Sequence, residues 1–302
     1  MGHHHNHNHS HVNTTTGRLM ITMVLNFVIT IAEVIGGILS GSLSLISDAL
    51  HNFSDGISVI LSYIAIRLRG RKNSSKHTFG LKRAEILAAA FNSSTLILIS
   101  VYLFYEAFQR FSEPLEIKAE LMIIVATIGL IANIGGTLLL HRDSKSSMNI
   151  KASYLHLLSD AVSSVAVIIG GFAILYFDQY WIDPLLTILI GIYIVWESFK
   201  ILSDATHILM EGTPPDINVV EIEKEVATID GVEDIHHVHV WMAGENEILL
   251  EAHVNVNDMM ISQSAELRGR IEKSLHDKFG IEHVTLQLEC NHCKDTSLIH
   301  QH

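Results

Sequence analysis

Two copies of one pattern stand out, Leu50-His51-Asn52-Phe53-Ser54-Asp55 and Leu155-His156-Leu157-Leu158-Ser159-Asp160, each inside a long apolar segment. In a helix, positions i and i+4 lie on the same face, so each copy presents one imidazole and one carboxylate in the same direction. Ionisable side chains inside such segments are rare and are functional candidates by default. The two copies therefore predict a four-ligand metal site made by His51, Asp55, His156 and Asp160.

The segments around these motifs predict a membrane domain. A helix that spans a bilayer needs about 20 mainly apolar residues. Six segments of residues 18–210 meet this requirement, and the second and fifth are the least apolar because they contain the repeated motif. The predicted spans are Leu19–Leu39, Leu43–Ile66, Ala84–Phe108, Leu121–Leu140, Ser147–Phe177 and Ile182–Leu202.

Loop charges predict the orientation of these spans. Short cytoplasmic loops accumulate Lys and Arg. The loops after spans two and four, residues 67–83 and 141–151, are basic, whereas the loops after spans three and five hold mainly acidic residues. The basic residues also favour contact with lipid headgroups. We therefore expect both termini in the cytoplasm.

The repeat extends into the preceding spans. Asn26 lies 25 residues before His51, and Asn133 lies 23 residues before His156. The chain is then two units of three helices, and an odd number of spans makes the second unit enter the membrane in the opposite sense. Such inverted repeats place transport sites near the bilayer midplane.

The C-terminal third is predicted to be a separate soluble domain. Of the 32 acidic and 20 basic residues in the chain, residues 211–302 hold 18 and 6, so the whole net charge of −12 lies there. After Pro214 and Pro215 the hydrophobic pattern predicts α-β-β-α-β, a ferredoxin-like α+β fold over residues 211–290. Its small size favours pairing with a second copy. The predicted elements are Val219–Ile229, Ile235–Trp241, Glu247–Val256, Ser262–Phe279 and His283–Leu288.

The four predicted membrane ligands indicate which kind of ion the site binds. Two imidazoles and two carboxylates form an N₂O₂ set that suits a tetrahedral divalent ion such as Zn²⁺, and the two carboxylates neutralise it. An empty site would leave two bare anions and should take up protons, which predicts exchange of metal for protons. The alternative is that these residues only join helices, bonded to Asn26, Asn133 or one another. No ATP-binding loop or metalloprotease motif is present, so a pump driven by ATP and an enzyme are not supported.

A second group of possible ligands lies in the soluble domain. Strand alternation puts His237, His239 and Trp241 on one face and His236 on the other, so only part of this run can serve one site. Cys290 and Cys293 bracket His292, and in a reducing cytoplasm they are expected to be thiols. Metal binding, a redox role and plain exposed thiols all remain open for this pair.

The ends of the chain are predicted to be tails. Residues 1–17 begin with an interrupted His/Asn tract, which is more typical of a natural metal-collecting tail than of a purification tag and is expected to be disordered without metal. Residues 291–302 form a second tail that contains His and Cys.

Taken together, the motifs resemble the cation diffusion facilitator family, in particular its bacterial branch for zinc, cadmium and cobalt resistance. The resemblance lies in residues 42–55, 79–85, 156–160 and 231–241 and extends over almost the whole chain. It implies a homodimeric, proton-coupled exporter in a bacterial inner membrane, with His51, Asp55, His156 and Asp160 as a zinc-type transport site. It also implies that His236, His253 and Glu289 bind regulatory zinc.

The expected partners are thus divalent metal ions, protons, lipid and a second copy of the chain, with no cofactor and no nucleic acid. The expected function is export of Zn²⁺, with Cd²⁺ and Co²⁺ as further substrates. The alternative from another class is a membrane-anchored metal sensor that signals through its soluble domain without transport. The paired intramembrane ligands favour transport, because a sensor needs no site at the midplane.

Overall fold

The described part of the chain forms six long helices followed by a small mixed domain. A computed structural model describes residues 9–69, 72–141, 148–244, 247–290 and 297–299. The chain divides into two compact units: Met1–Ile60 with Phe91–Lys200, and Leu61–Ala90 with Ile201–His302. The long helices are α1 (His9–Ser40), α2 (Leu43–Arg69), α3 (Ala84–Ser112), α4 (Ala119–Leu140), α5 (Met148–Phe177) and α6 (Ile182–Leu209).

The long helices have the composition of membrane spans. Among the described residues, four helical stretches are long and apolar enough to cross a bilayer, and α1 contains a shorter apolar stretch, Asn26–Ser40. α2 is less apolar because it includes His51, Asp55 and several serines. Large outward side chains such as Phe91 and Leu138 are 74% and 70% exposed, which suits lipid rather than water. The four stretches are Ala84–Ser112, Ala119–Leu140, Tyr154–Phe177 and Ile182–Leu209.

α1 begins within the segment 1–17 that the sequence assigns to the N-terminal tail. Its first residue is His9, and the predicted disorder of the tail without metal stays a prediction. Once an apolar span has nucleated a helix, each additional residue extends it at little cost, so the helix runs back into the polar sequence. Residues 1–8 of the His/Asn tract lie outside the described residues.

A carboxylate from α6 holds the start of α2. Asp183 is fully buried, and one of its oxygens accepts hydrogen bonds from the Ser42 and Ser44 hydroxyls, each at 2.6 Å. The backbone N–H of Leu43 donates to the other oxygen at 2.8 Å. The first N–H groups of a helix have no partner inside the helix, so this distant cap fixes where α2 begins.

The second unit contains the predicted α-β-β-α-β order. Its elements are α7 (Val219–Ala227), β1 (Val232–Gly244), β2 (Glu247–Val256), α8 (Ile261–Phe279) and β3 (Ile281–Glu289). The sheet order is β1-β2-β3, with β1 antiparallel and β3 parallel to β2. A core of buried apolar side chains from both helices and all three strands includes Ile222, Val254 and Ile271. This core is made entirely by residues of the C-terminal domain.

β1 departs from simple alternation at its histidines. Ile235 and His236 are both buried, and the register shifts between His236 and His239. His237 adopts φ 54°, a left-handed conformation that is uncommon outside glycine. An extra residue in one strand produces such a β-bulge and changes which side chains share a face.

Candidate metal centres

The first candidate centre begins with a ligand pair on α2. His51 is buried and Asp55 lies one turn later, with 3.7 Å between His51 Nε2 and Asp55 Oδ2. The i, i+4 spacing places both on one face of the helix, as the sequence predicts.

The second pair lies on α5 and meets the first. His156 Nε2 is 3.5 Å from Asp160 Oδ2 and 3.3 Å from Asp55 Oδ2, so His156 bridges the two helices. The ring centroids of His51 and His156 are 5.8 Å apart. One ligand atom each from His51, His156 and Asp160 lies within 4.8 Å of the other two. The structure thus brings the four predicted side chains together, and their role as metal ligands stays a prediction.

The donor set of this centre fits a divalent ion. Oδ2 of Asp55, Oδ2 of Asp160 and Nδ1 of His51 are buried and make no hydrogen bond. Buried polar atoms are normally satisfied, so the two unsatisfied carboxylate oxygens beside His156 Nε2 are a recognised sign of a missing partner. The two nitrogens and two carboxylates are compatible with tetrahedral Zn²⁺.

In one alternative, the four residues merely join helices by hydrogen bonds to Asn26 and Asn133, and the two asparagines do not support it. Asn26 Oδ1 and Asn133 Nδ2 are both buried and have no hydrogen-bond partner in the described part of the chain. These two amide atoms therefore form no hydrogen bond with the predicted ligand histidines or aspartates.

Three further residues lie around the ligands. Asp48 accepts a hydrogen bond from the Ser163 hydroxyl at 2.5 Å, which ties the ligand helices α2 and α5 together. The Tyr193 ring from α6 packs edge-on against the His51 ring, with centroids 6.2 Å apart. Asp48 lies three residues before His51 on the same helix, whereas Ser163 and Tyr193 have no local sequence signal. Their contacts depend on how separate helices pack.

The second candidate centre lies on the sheet of the C-terminal domain. Glu289 Oε1 is 2.9 Å from His236 Nε2 and 3.1 Å from His253 Nδ1. His236 and His253 are directly opposite in the β1–β2 register, and Glu289 ends β3. The three side chains form the other compact group of metal-compatible ligands among the described residues.

Two neighbours extend this centre. Asp234 Oδ1 is 2.6 Å from His236 Nδ1, the nitrogen that faces away from Glu289. A carboxylate in that position orients a ligand imidazole and raises its basicity. The bulge also brings the His237 ring to 4.7 Å from the His253 ring, measured between centroids. Strand alternation predicts that His236 and His237 lie on opposite faces of β1. Only the bulge places both rings beside the His253 ring.

The structure describes only one of the two cysteines that were predicted as ligands. Cys290 is exposed at the end of β3 and does not belong to the three-residue group of His236, His253 and Glu289. Cys293 lies outside the described residues, so their joint role stays a prediction.

Family comparisons agree with the fold. A domain of long apolar helices followed by a small α+β domain is the organisation of a membrane transporter of the cation efflux class. Residues 19–210 match the family model for the cation efflux transmembrane domain, and residues 214–290 match the cation efflux protein, cytoplasmic domain. The chain belongs to the cation diffusion facilitator family, which confirms the resemblance drawn from its motifs.

Individual relatives are similar over nearly their whole length. The chain is 39% identical over 305 residues to a cadmium, cobalt and zinc/H(+)-K(+) antiporter of Bacillus velezensis, covering 100% of this chain and 96% of the relative. It is 37% identical over 276 residues, 91% of this chain and 87% of the relative, to the metal cation efflux system protein CzcD of Cupriavidus metallidurans. The zinc transporter ZitB of Pectobacterium atrosepticum is 39% identical over 300 residues, 98% and 91% of the two chains. The protein is therefore an integral membrane protein of a metal cation efflux family.

Proposed function

We propose that this protein exports Zn²⁺ from the cytoplasm in exchange for protons, with Cd²⁺ and Co²⁺ as further substrates. The observation that supports this most is the convergence of His51 and Asp55 on α2 with His156 and Asp160 on α5. Relatives named for zinc transport and for cadmium, cobalt and zinc antiport support the choice of metals.

Charge balance supports the coupling to protons. The four ligands neutralise one divalent ion, because two carboxylates compensate its two charges. When the ion leaves, both carboxylates stay in a poorly solvated region, where a net charge is costly. Protons restore neutrality, and protonated ligands do not bind metal, so metal and protons occupy the site alternately. The H⁺ and K⁺ in the name of the Bacillus relative support a monovalent counter-ion.

The membrane arrangement follows from this reading. All six long helices cross a bacterial inner membrane as two inverted three-helix repeats, residues 18–210 form the transport domain, and both termini are cytoplasmic. Residues 211–290 form a ferredoxin-like cytoplasmic domain that pairs with a second copy, in agreement with the observed α-β-β-α-β order. The basic loop after α2 contacts lipid headgroups.

The sheet centre has a regulatory role in this proposal. His236, His253 and Glu289 belong to the C-terminal domain and not to the six long helices that we propose to span the membrane. Zinc on the sheet tightens the paired cytoplasmic domains, and Cys290 with Cys293 can bind further ions from the C-terminal tail.

Zinc uptake into inside-out vesicles that contain the purified protein tests this function. With equal zinc on both sides, an outward proton gradient in the vesicle should drive zinc into the lumen, and a protonophore should stop it. Accumulation that survives the protonophore without another ion gradient contradicts proton coupling. Absence of flux together with zinc-dependent dimerisation identifies the protein as a sensor instead.

A further inference from the structure

The bulge in β1 is hydrogen-bonded to a segment near the end of the chain. This C-terminal segment, residues 297–299, belongs to the described part of the chain and lies beyond the last strand. The His237 N–H donates to the Ser297 carbonyl at 3.1 Å, and the Val238 N–H donates to the Leu298 carbonyl at 2.9 Å. Two consecutive N–H groups of β1 are therefore held by residues that follow β3 in the chain.

The geometry of the bulge explains why these two N–H groups need acceptors outside β2. Between the pairs His236–His253 and His239–Glu251, β1 advances three residues while β2 advances two. In a regular strand successive N–H groups point to opposite edges, but a bulge leaves its extra residue without a partner in the ladder. Unpaired backbone donors are costly when buried, and Val238 is only 4% exposed. The C-terminal segment supplies the acceptors that the neighbouring strand does not.

One side chain anchors the C-terminal segment to the domain. Leu298 is half-buried and packs against the apolar core that α7, α8 and the three strands form. The next residue, Ile299, is 66% exposed. β1 is an outer strand in the sheet order β1-β2-β3, so its far edge is open to a further piece of chain. An apolar contact and two backbone hydrogen bonds thus hold the segment on that edge.

The same bulge carries residues of the sheet centre. His236 lies directly before it, with its Nε2 at 2.9 Å from Glu289 Oε1. His237 lies within it at φ 54°, and the centroid of its ring is 4.7 Å from that of the His253 ring. A non-glycine residue at positive φ persists only when the surrounding structure holds it there. The backbone that the C-terminal segment holds is therefore the backbone that places two of the three imidazoles at this centre.

We propose that the C-terminal segment fixes the β1 bulge and thereby positions His236 and His237 for the ion at the sheet centre. This proposal rests on the regulatory zinc site proposed above. An ion that requires the bulge binds more tightly when the segment is docked, and by linkage the segment docks more tightly when the ion is bound. The last residues of the chain thus set the zinc concentration at which the sheet centre responds.

Hydrogen exchange measured by mass spectrometry on the full-length protein tests this coupling, because it reads the β1 amides directly. In the wild-type protein, zinc should slow exchange in peptides that contain His237 and Val238. The zinc concentration that gives half of this protection measures the affinity of the sheet centre. The double variant His236→Ala, His253→Ala should lose the protection, which assigns it to this centre and not to the helical one.

Two matched pairs of variants separate the C-terminal segment from its neighbours. Leu298→Asp places a charge against the apolar core and should release the segment, whereas Ile299→Asp places the same charge in solvent. A chain that ends at Thr296 lacks the segment, whereas a chain that ends at Ile299 lacks only the last three residues. We expect Leu298→Asp and the shorter chain to need about tenfold more zinc for half-protection, within the usual range of coupling between two sites. Ile299→Asp and the longer chain should match the wild-type protein.

Equal half-protecting zinc concentrations in Leu298→Asp and Ile299→Asp overturn the proposal. An increase of exchange in α7 and α8 of zinc-free Leu298→Asp as large as that in β1 also overturns it, because Leu298 would then only stabilise the core. If Leu298→Asp is not recovered as folded protein, the pair Leu298→Ala and Ile299→Ala decides by the same comparison. Failure of the regulatory site itself is distinguishable, since zinc would then leave β1 exchange unchanged in the wild-type protein.

Discussion

The two candidate metal centres use similar side chains in different settings. In the helical centre, His51 and Asp55 face His156 and Asp160 across two apolar helices, and each imidazole has its own carboxylate. In the sheet centre, His236 and His253 share the single carboxylate of Glu289.

Under the proposed function, this difference separates a site that releases its ion from a site that keeps it. Two carboxylates give the helical centre a charge of −2 when empty and neutrality when it holds a divalent ion, so release leaves a charge that must be compensated. The sheet centre has one ligand carboxylate and a further one, Asp234, that holds the His236 imidazole in place. A ligand fixed in this way favours lasting occupation, as expected of a regulatory ion. Variants of the two centres test this contrast.

The largest expected effect is on the helical centre. Asp160→Ala should abolish zinc transport and leave the protein folded, because the filled site would keep one uncompensated positive charge. A charge at the centre of a membrane helix costs about 3 kcal/mol, or about two orders of magnitude in binding. Zinc flux into vesicles measures this, with the exposed Asp204→Ala as control. Near-normal flux in Asp160→Ala would sink the proposed transport site.

Metal selectivity should depend on the imidazoles of the same centre. His51→Asp replaces a nitrogen ligand by oxygen and should weaken Zn²⁺ and Cd²⁺ relative to Mn²⁺, because oxygen ligands favour harder ions. Competition between these ions during transport measures the order. An unchanged order would mean that helix packing, rather than ligand type, sets selectivity.

Loss of the sheet centre should affect assembly and not conduction. The double variant His236→Ala, His253→Ala should bind less zinc in the C-terminal domain and should lose zinc-promoted dimerisation. Sedimentation with and without zinc measures the association. Equal zinc binding, or equal dimerisation in both conditions, is inconsistent with a regulatory ion at these residues.

A smaller effect is expected at the neighbour of His236. Asp234→Ala should weaken zinc at the sheet centre by about tenfold, because the imidazole loses the carboxylate that orients it. Calorimetry on the purified protein measures the affinity, and the exposed neighbour Glu233→Ala is the matched control. Identical affinities in the two variants would show that the bond between Asp234 and His236 does not support the metal.

The smallest expected effect concerns an ion pair away from both centres. Lys278 and Ser274 on α8 donate hydrogen bonds to Glu225 on α7, and the Lys278 bond is the main reason that the pKa of Glu225 lies below its ordinary value. A depressed carboxyl pKa stabilises the fold above the ordinary pKa of Glu, and this contribution disappears as pH falls through the lowered value. Lys278→Ala should therefore be slightly less stable than the exposed control Lys273→Ala at neutral pH. Thermal unfolding across pH 3–7 should show the difference vanish in acid, and a constant difference would argue against the ion pair.

The sequence predicted element bounds best where the residue pattern depends on a single helix or strand. β2 spans Glu247–Val256 as predicted, because its alternating apolar residues have only one arrangement with a buried face. α6 begins at Ile182 as predicted. By contrast, β1 extends beyond Ile235–Trp241 in both directions and bulges at His237, and no glycine or other turn residue signals that bulge.

The sequence by itself determined which His and Asp side chains are paired at i, i+4 spacing, because helical periodicity is a local property that can be read within six residues. Its motifs also determined the family. Only the tertiary structure decided that His156 approaches Asp55, that Asp183 caps α2, and that Glu33 reaches Asn52. These contacts join residues far apart in the chain, and their geometry depends on how whole helices pack. Packing is set by many side chains at once, so no short stretch of sequence encodes it.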